Sequence, residues 1–171
     1  MSRYIEIVLE KRKIRCVAQL LDDEAPTTCE AVWQSLPQTG GVWHAKYASN
    51  EVYILVEPLK TEPGPENRTI APTAGDVMYF FFPPGYKLPK DVDHIVSAGR
   101  GVVDLALFYD RNNLLLNPRE GWTPGNVFAT VIRNLDEMKT ACNSVFREGV
   151  VGEQLVFRRL EGDGLKAWGL A

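Results

Sequence analysis

The stretch Val42 to Val56, VWHAKYASNEVYILV, decides how the rest of the chain is read. Two runs rich in Val, Ile, Tyr and Trp flank Ser49-Asn50. Such side chains suit a pleated, half-buried surface, while Ser and Asn bond back onto their own backbone at bends. A two-residue turn there sets Ala48 opposite Glu51, Lys46 opposite Tyr53 and His44 opposite Leu55. Because strand side chains alternate faces, Trp43, Ala45, Tyr47, Val52, Ile54 and Val56 form a core face. His44, Lys46, Glu51 and Tyr53 form a polar one. A slip of one residue would set the charged group against the apolar one.

Upstream, Tyr4 to Leu9 and Ile14 to Leu21 read as an antiparallel pair. Lys11-Arg12-Lys13 between them is a solvated turn rather than a binding patch. Thr27-x-x-Glu30 fits a capping box opening a helix. Its stripe, Cys29, Val32, Trp33 and Leu36, is a core pattern, and Pro37 with Gly40-Gly41 ends it. Downstream, Glu57 to Ala74 is rich in Pro, Glu, Thr and Gly, a long loop of the kind that often covers a site. Val77 to Phe82 is a strand with bulky residues on both faces, ended by Pro83-Pro84-Gly85.

Tyr86 to Gly101 is polar, and Val102 to Tyr109 is a further strand. Asp110 to Asn126 is the second long irregular stretch, leading into a strand at Val127 to Ile132. Asn134 with Glu137 opens a second helix, whose stripe is Leu135, Met138, Cys142, Val145 and Phe146. After Gly149, Gln154 to Leu160 closes the chain's strands. Trp168, in the tail 162–171, docks on the body or meets a partner subunit. Many short strands, two helices and long central loops imply a mainly β fold. The expected architecture is a closed antiparallel β-barrel capped by two helices, a single domain over residues 1–171.

A chain of 171 residues can bury one core without staples. With 45% hydrophobic and 24% charged residues it is globular in composition. A net charge of −3 gives no reason to expect nucleic acid or an anionic membrane as partner. Cys16, Cys29 and Cys142 have no CxxC spacing and fall in apolar register. No signal-like or spanning apolar run is present, so a cytoplasmic protein is expected.

Several local sequences carry a resemblance. They are Leu20-Leu21-Asp22 before Ala25-Pro26-Thr27-Thr28, the hairpin end Asn50-Glu51-Val52-Tyr53, Gly75-Asp76-Val77 before the strand closed by Pro83-Pro84-Gly85, and Leu105 to Tyr109 before Asp110-Arg111-Asn112. On these the chain resembles the cyclophilin-like fold, and looks closest to small bacterial and archaeal cyclophilin-like families of uncharacterised function. In prolyl isomerases of that fold an arginine follows the histidine on the strand corresponding to Val42 to Lys46. Here Ala45 follows His44 and the nearest cation is Lys46, which lacks the planar fork of a guanidinium. Isomerase activity is therefore not expected, and fold alone does not confer it.

His44, Lys46, Glu51 and Tyr53 combine an imidazole, an ammonium, a carboxylate and a phenol, with His44 and Glu51 the candidates for acid–base work. The alternative for the same residues is a solvated sheet face with a weak cross-strand ion pair. The donors of the Asp110 to Asn126 stretch could grip a carboxylate or amide, Arg111 and Asn126 foremost. Tyr79, Tyr86 and Trp122 could supply an apolar floor. With two histidines, His44 and His94, and no HxH or HExxH spacing, neither metal nor cofactor is expected. The expected function is binding, with possible turnover, of a small polar or anionic metabolite in an outer-face pocket. The alternative is a non-catalytic module that self-associates through Trp168 and Phe80 to Phe82; residual prolyl isomerisation is a third.

Overall fold

The computed structural model describes residues 2–86 and 99–170. Its strands are β1 (Tyr4–Leu9), β2 (Ile14–Leu20), β3 (Gln38–Gly41), β4 (Trp43–His44), β5 (Glu51–Val56), β6 (Arg68–Thr69), β7 (Asp76–Phe82), β8 (Val102–Phe108), β9 (Leu116–Asn117), β10 (Gly121–Trp122), β11 (Gly125–Arg133) and β12 (Gln154–Arg159). The helices are α1 (Pro26–Ser35), α2 (Leu135–Glu148) and the short α3 (Asp163–Ala167), one more than the two expected.

One antiparallel sheet runs β3-β12-β1-β2-β11-β7-β8-β5-β4, with β6 added beside β11. Its two ends meet. A Cβ placed on Gly40 of β3 would lie 3.2 Å from Ile54 Cβ on β5, a contact tight enough that Ile54 would have to give way. The barrel is thus nearly closed, which hides the strand edges.

Alternation along the strands sorts two layers. Ile5, Ile7, Val52, Ile54, Val103, Leu105 and Leu107 point into the barrel core, joined by Cys29 and Val32 of α1 and Met138, Cys142 and Val145 of α2. The opposite side chains of β5, β7 and β8 are not solvated. Met78, Phe80, Ala106 and Phe108 form a second apolar layer on the outer face, covered by Ala48, Leu115 and Val127. That is why β7 and β8 read as apolar on both faces. All three cysteines are buried and free.

Local start signals did not decide the helix ends. The N-cap of α1 is Ala25, with Pro26 in the first turn, and no side chain of the helix caps it. The donors of Thr27 and Thr28 go instead to the carboxylate of Glu66, at 3.1 and 2.7 Å. Glu30 pairs with Arg3. This docks the 57–74 loop on the helix N-terminus, where a carboxylate is favoured by the exposed N–H groups. Asn134 likewise donates no cap; its amide bonds the carbonyl of Arg15 at 2.7 Å. In α2, Phe146 stands exposed rather than in the buried stripe.

Trp168 docks on its own chain. Its indole N–H donates to Glu6 at 3.0 Å and the Arg15 guanidinium lies over its ring. Phe80 is buried in the outer layer. Phe81 and Phe82 are partly buried against the core clusters, so the residues invoked for self-association all make contacts within the protomer. No helix among the described residues is long and apolar enough to cross a membrane.

Candidate functional site

The central hairpin is paired differently from expectation. Tyr53 faces Trp43, not Lys46, and His44 faces Val52, not Leu55. The turn is a wider loop, closed where the Ala45 N–H donates to the Glu51 carbonyl, with Ser49 at φ 69°. An offset of an odd number of residues exchanges faces. His44 therefore lies on the inner side and Glu51 on the outer, and the expected polar face does not form.

His44, on β4, packs between Tyr109 and Phe146 of α2. Its Nδ1 lies 3.0 Å from the Ala45 carbonyl and its Nε2 2.8 Å from the Tyr109 hydroxyl. A neutral ring satisfies both contacts, donating from Nδ1 and accepting the tyrosine proton at Nε2. Burial lowers the imidazole's pKa, consistent with that form. Phe146 packs on the ring at 4.9 Å. His44 is thus a bonded structural residue, separated by the sheet from Glu51. Lys46 and Arg111 are exposed, and the Arg111 carbonyl accepts from Asn50. His94 lies outside the described residues.

Two of the four residues expected on the polar hairpin face, Glu51 and Tyr53, lie on the outer face of the sheet. Glu51, Tyr53 and Leu55 of β5 stand opposite Phe108, Ala106 and Asp104 of β8. On the other flank, Met78 and Phe80 of β7 stand opposite Ala106 and Asp104. Glu51 and Asp104 are each only 6% exposed. Neither carboxyl has an ion-pair partner among the described residues, and Asp104 Oδ1 is fully buried without any hydrogen bond.

Burial alone pushes the Glu51 carboxyl up to about 8. Asp104 is raised well above the usual carboxylate range, by burial first and then by Glu51. Two like charges in one apolar layer oppose each other's ionisation, so at neutral pH the pair holds protons. Tyr53 lies in the same layer, its phenol raised by burial and by both acids.

A cavity of about 440 Å³ adjoins this layer, lined by Phe80, Phe82, Tyr86, Trp122, Thr123 and Asn126 among others. Tyr86 stacks on Phe82 at 4.4 Å between ring centroids, and its phenol feels the charge of Asp104. Trp122, on the β9–β10 hairpin, is exposed at the rim. Tyr79 lines the same cavity but is buried, its hydroxyl donating to Glu62. The structure thus brings Tyr79, Tyr86, Trp122 and Asn126 together around one cavity, with Tyr53 and Glu51 in the adjoining layer. It sets His44, Lys46 and Arg111 apart.

Asn126 is a bonded hub as well as a wall. Its amide donates to Gly64 O at 2.7 Å and Thr28 Oγ1 at 3.0 Å, and its oxygen accepts the Glu66 N–H at 3.2 Å. Asn126→Ala should cost about 1–3 kcal/mol, since it strands buried partners. Urea denaturation of the variant measures this.

Among the described residues no group of three or more His, Cys, Asp or Glu could hold a metal ion. Asp104 went unnoticed in sequence because it sits in the apolar run VVDLALF. Its signal was there: one acid in a strand apolar on both faces has no route to water.

Fold and site define a nearly closed antiparallel β-barrel with a buried acid pair on its outer face. The chain belongs to the family described as "Protein of unknown function (DUF3830)", whose model matches residues 7–157. No curated protein matches it. Among solved structures it is similar to that of McbB in complex with tryptophan, with a TM-score of 0.61 and 19% identity. The match covers 92% of this chain and 45% of McbB, so the chain spans less than half of that protein's length. At this identity the likeness concerns the fold.

Proposed function

We propose that this chain is a cyclophilin-like barrel that binds a small polar molecule on its outer face, with Glu51 and Asp104 as the groups that exchange protons with it. The observation that carries the reading is the buried acid pair, which has no ion-pair partner among the described residues. Burying a polar group without a partner costs stability, and such groups concentrate where a ligand or a reaction uses them. A carboxyl kept protonated at neutral pH can donate its proton to a bound molecule and take it back, as general acid–base catalysis requires. An adjoining cavity with aromatic walls supports binding there. The fold is shared with McbB, which was solved with tryptophan, and this lends weight to a small-molecule site while leaving the ligand open.

An anionic ligand is disfavoured beside these carboxyls, since the cations expected to hold it, Lys46 and Arg111, are exposed. Prolyl isomerisation lacks its guanidinium at the expected place, where Ala45 packs against the outer layer. The test is a thermal-shift screen of metabolites on wild type, Glu51→Gln, Asp104→Asn and, as a control outside the site, His44→Ala. A hit should lose its shift in the two carboxyl variants and keep it in the histidine variant. Equal shifts in all four proteins would overturn the reading. A second reading, self-association, finds a new support in the exposed Phe146; a monomeric mass in solution would remove it.

A further inference from the structure

We infer that the ligand of this outer-face site is an organic cation, a protonated amine on an aromatic or apolar frame, with its ammonium against Asp104 and Glu51 and its frame against Phe82, Tyr86 and Trp122. The inference rests on the proposed function and specifies its ligand. Three independent features point the same way.

The first is unmet charge. Asp104 carries a buried oxygen with no hydrogen-bond partner, and Glu51 makes no ion pair among the described residues. A group with two or three N–H donors and a positive charge would satisfy the Asp104 oxygen, with Glu51 four residues along the same face of the sheet. An incoming carboxylate or phosphate would offer no donor to that oxygen and would find no positive charge beside it among the described residues.

The second is the sign of the surroundings. Glu62 lines the cavity, and Glu120 acts on the Tyr86 phenol together with Asp104. The one cation among the described lining residues, Arg68, is turned to the Pro124 carbonyl at 3.0 Å. With Arg68 held by that carbonyl, the nearby acids Glu62 and Glu120 outnumber it, and an excess of one sign of charge concentrates ligands of the other.

The third is the wall. Phe80, Phe82 and Tyr86 form a continuous stack, with centroids 6.2 and 4.4 Å apart, ending beside the exposed Trp122. Aromatic faces attract cations as well as apolar frames. Asp104 is the strand partner of Phe80, so the acid lies next to the innermost ring of that stack.

On binding, the ammonium stabilises the ionised acids, so each carboxyl that ionises releases its proton to solvent and no bond to the ligand forms. The test compares three probes that share one frame: 2-phenylethylamine, 2-phenylethanol and 3-phenylpropionate. Isothermal titration is run on wild type, Asp104→Asn, Glu51→Gln and Tyr86→Ala. The amine should bind at least tenfold tighter than either other probe, roughly the effect of one desolvated charge contact. Asp104→Asn and Glu51→Gln, both close in shape to the protonated acids, should remove that advantage. Tyr86→Ala should weaken amine and alcohol alike.

Equal or tighter binding of the propionate would overturn the inference, as would an amine affinity unchanged in both carboxyl variants. Absence of amine binding at millimolar concentration would also overturn it. If the alcohol binds and depends on Tyr86 while the amine gains nothing, the binding reading stands and the cation alone falls.

Discussion

The protein should lose stability as the pH rises from about 5 to about 8, by roughly 1.4 kcal/mol per pH unit for each carboxyl protonated only in the folded state. The direction follows from the raised values. Glu51 titrates at about 8 when folded, against 4.5 for an ordinary glutamate, and Asp104 is shifted the same way. Below the unfolded value both states are protonated and the full stability is present. Between the two values the unfolded chain has given up its proton and the folded chain has not, so each step in pH favours unfolding. Above the folded value the loss is complete.

His44 works in the opposite sense, because its lowered value makes acid, not base, the destabilising direction. The double variant Glu51→Gln, Asp104→Asn keeps the shape and removes both protons. Its denaturation midpoint should vary much less over this window. A wild-type curve parallel to the variant's would show that the pair is ionised in the folded protein.

The second large effect lies away from the site. Glu153 has a fully buried side chain that pairs with Arg12 at 2.8 Å and accepts the Lys11 N–H at 2.8 Å. Arg12 also bonds Ser144 and Glu148 of α2. One carboxylate therefore fastens the β1–β2 turn to the helix and to the start of β12. Glu153→Ala leaves a mostly buried guanidinium and a backbone donor without this partner. It should cost about 3–5 kcal/mol, as breaking one side of a buried pair does. Guanidinium denaturation at neutral pH gives the value; a loss below about 1 kcal/mol would mean that water replaces the contact.

The same residues show how far the sequence could be read. Alternation of Val, Ile and Leu in β1, β5 and β8 marked strands of a barrel because strand periodicity and burial share one cause. The stripe Cys29, Val32 likewise reached the core. What failed depended on partners distant in sequence. Thr27 is capped by Glu66, 39 residues away, which no local motif can register. Arg12 looked like part of a solvated turn because Glu153 lies 141 residues on.

The hairpin register failed for a different reason. Ser49-Asn50 lacks the glycine that fixes a two-residue turn, so the loop could widen at little cost. That widening carried His44 to one face and Glu51 to the other. That Glu51 faces away from the barrel core was legible. Asp104, which shares its outer layer, was hidden in a run read only for its hydrophobicity.

The most direct measurement is a carbon-13 NMR titration of the side-chain carboxyls, with Glu51 and Asp104 assigned from the Glu51→Gln and Asp104→Asn spectra. The expected result is two carboxyls that stay protonated through neutral pH, Glu51 titrating near 8 and Asp104 far above its ordinary 3.8. Titration of both near their ordinary values, 4.5 and 3.8, would contradict the existence of a buried, proton-holding pair.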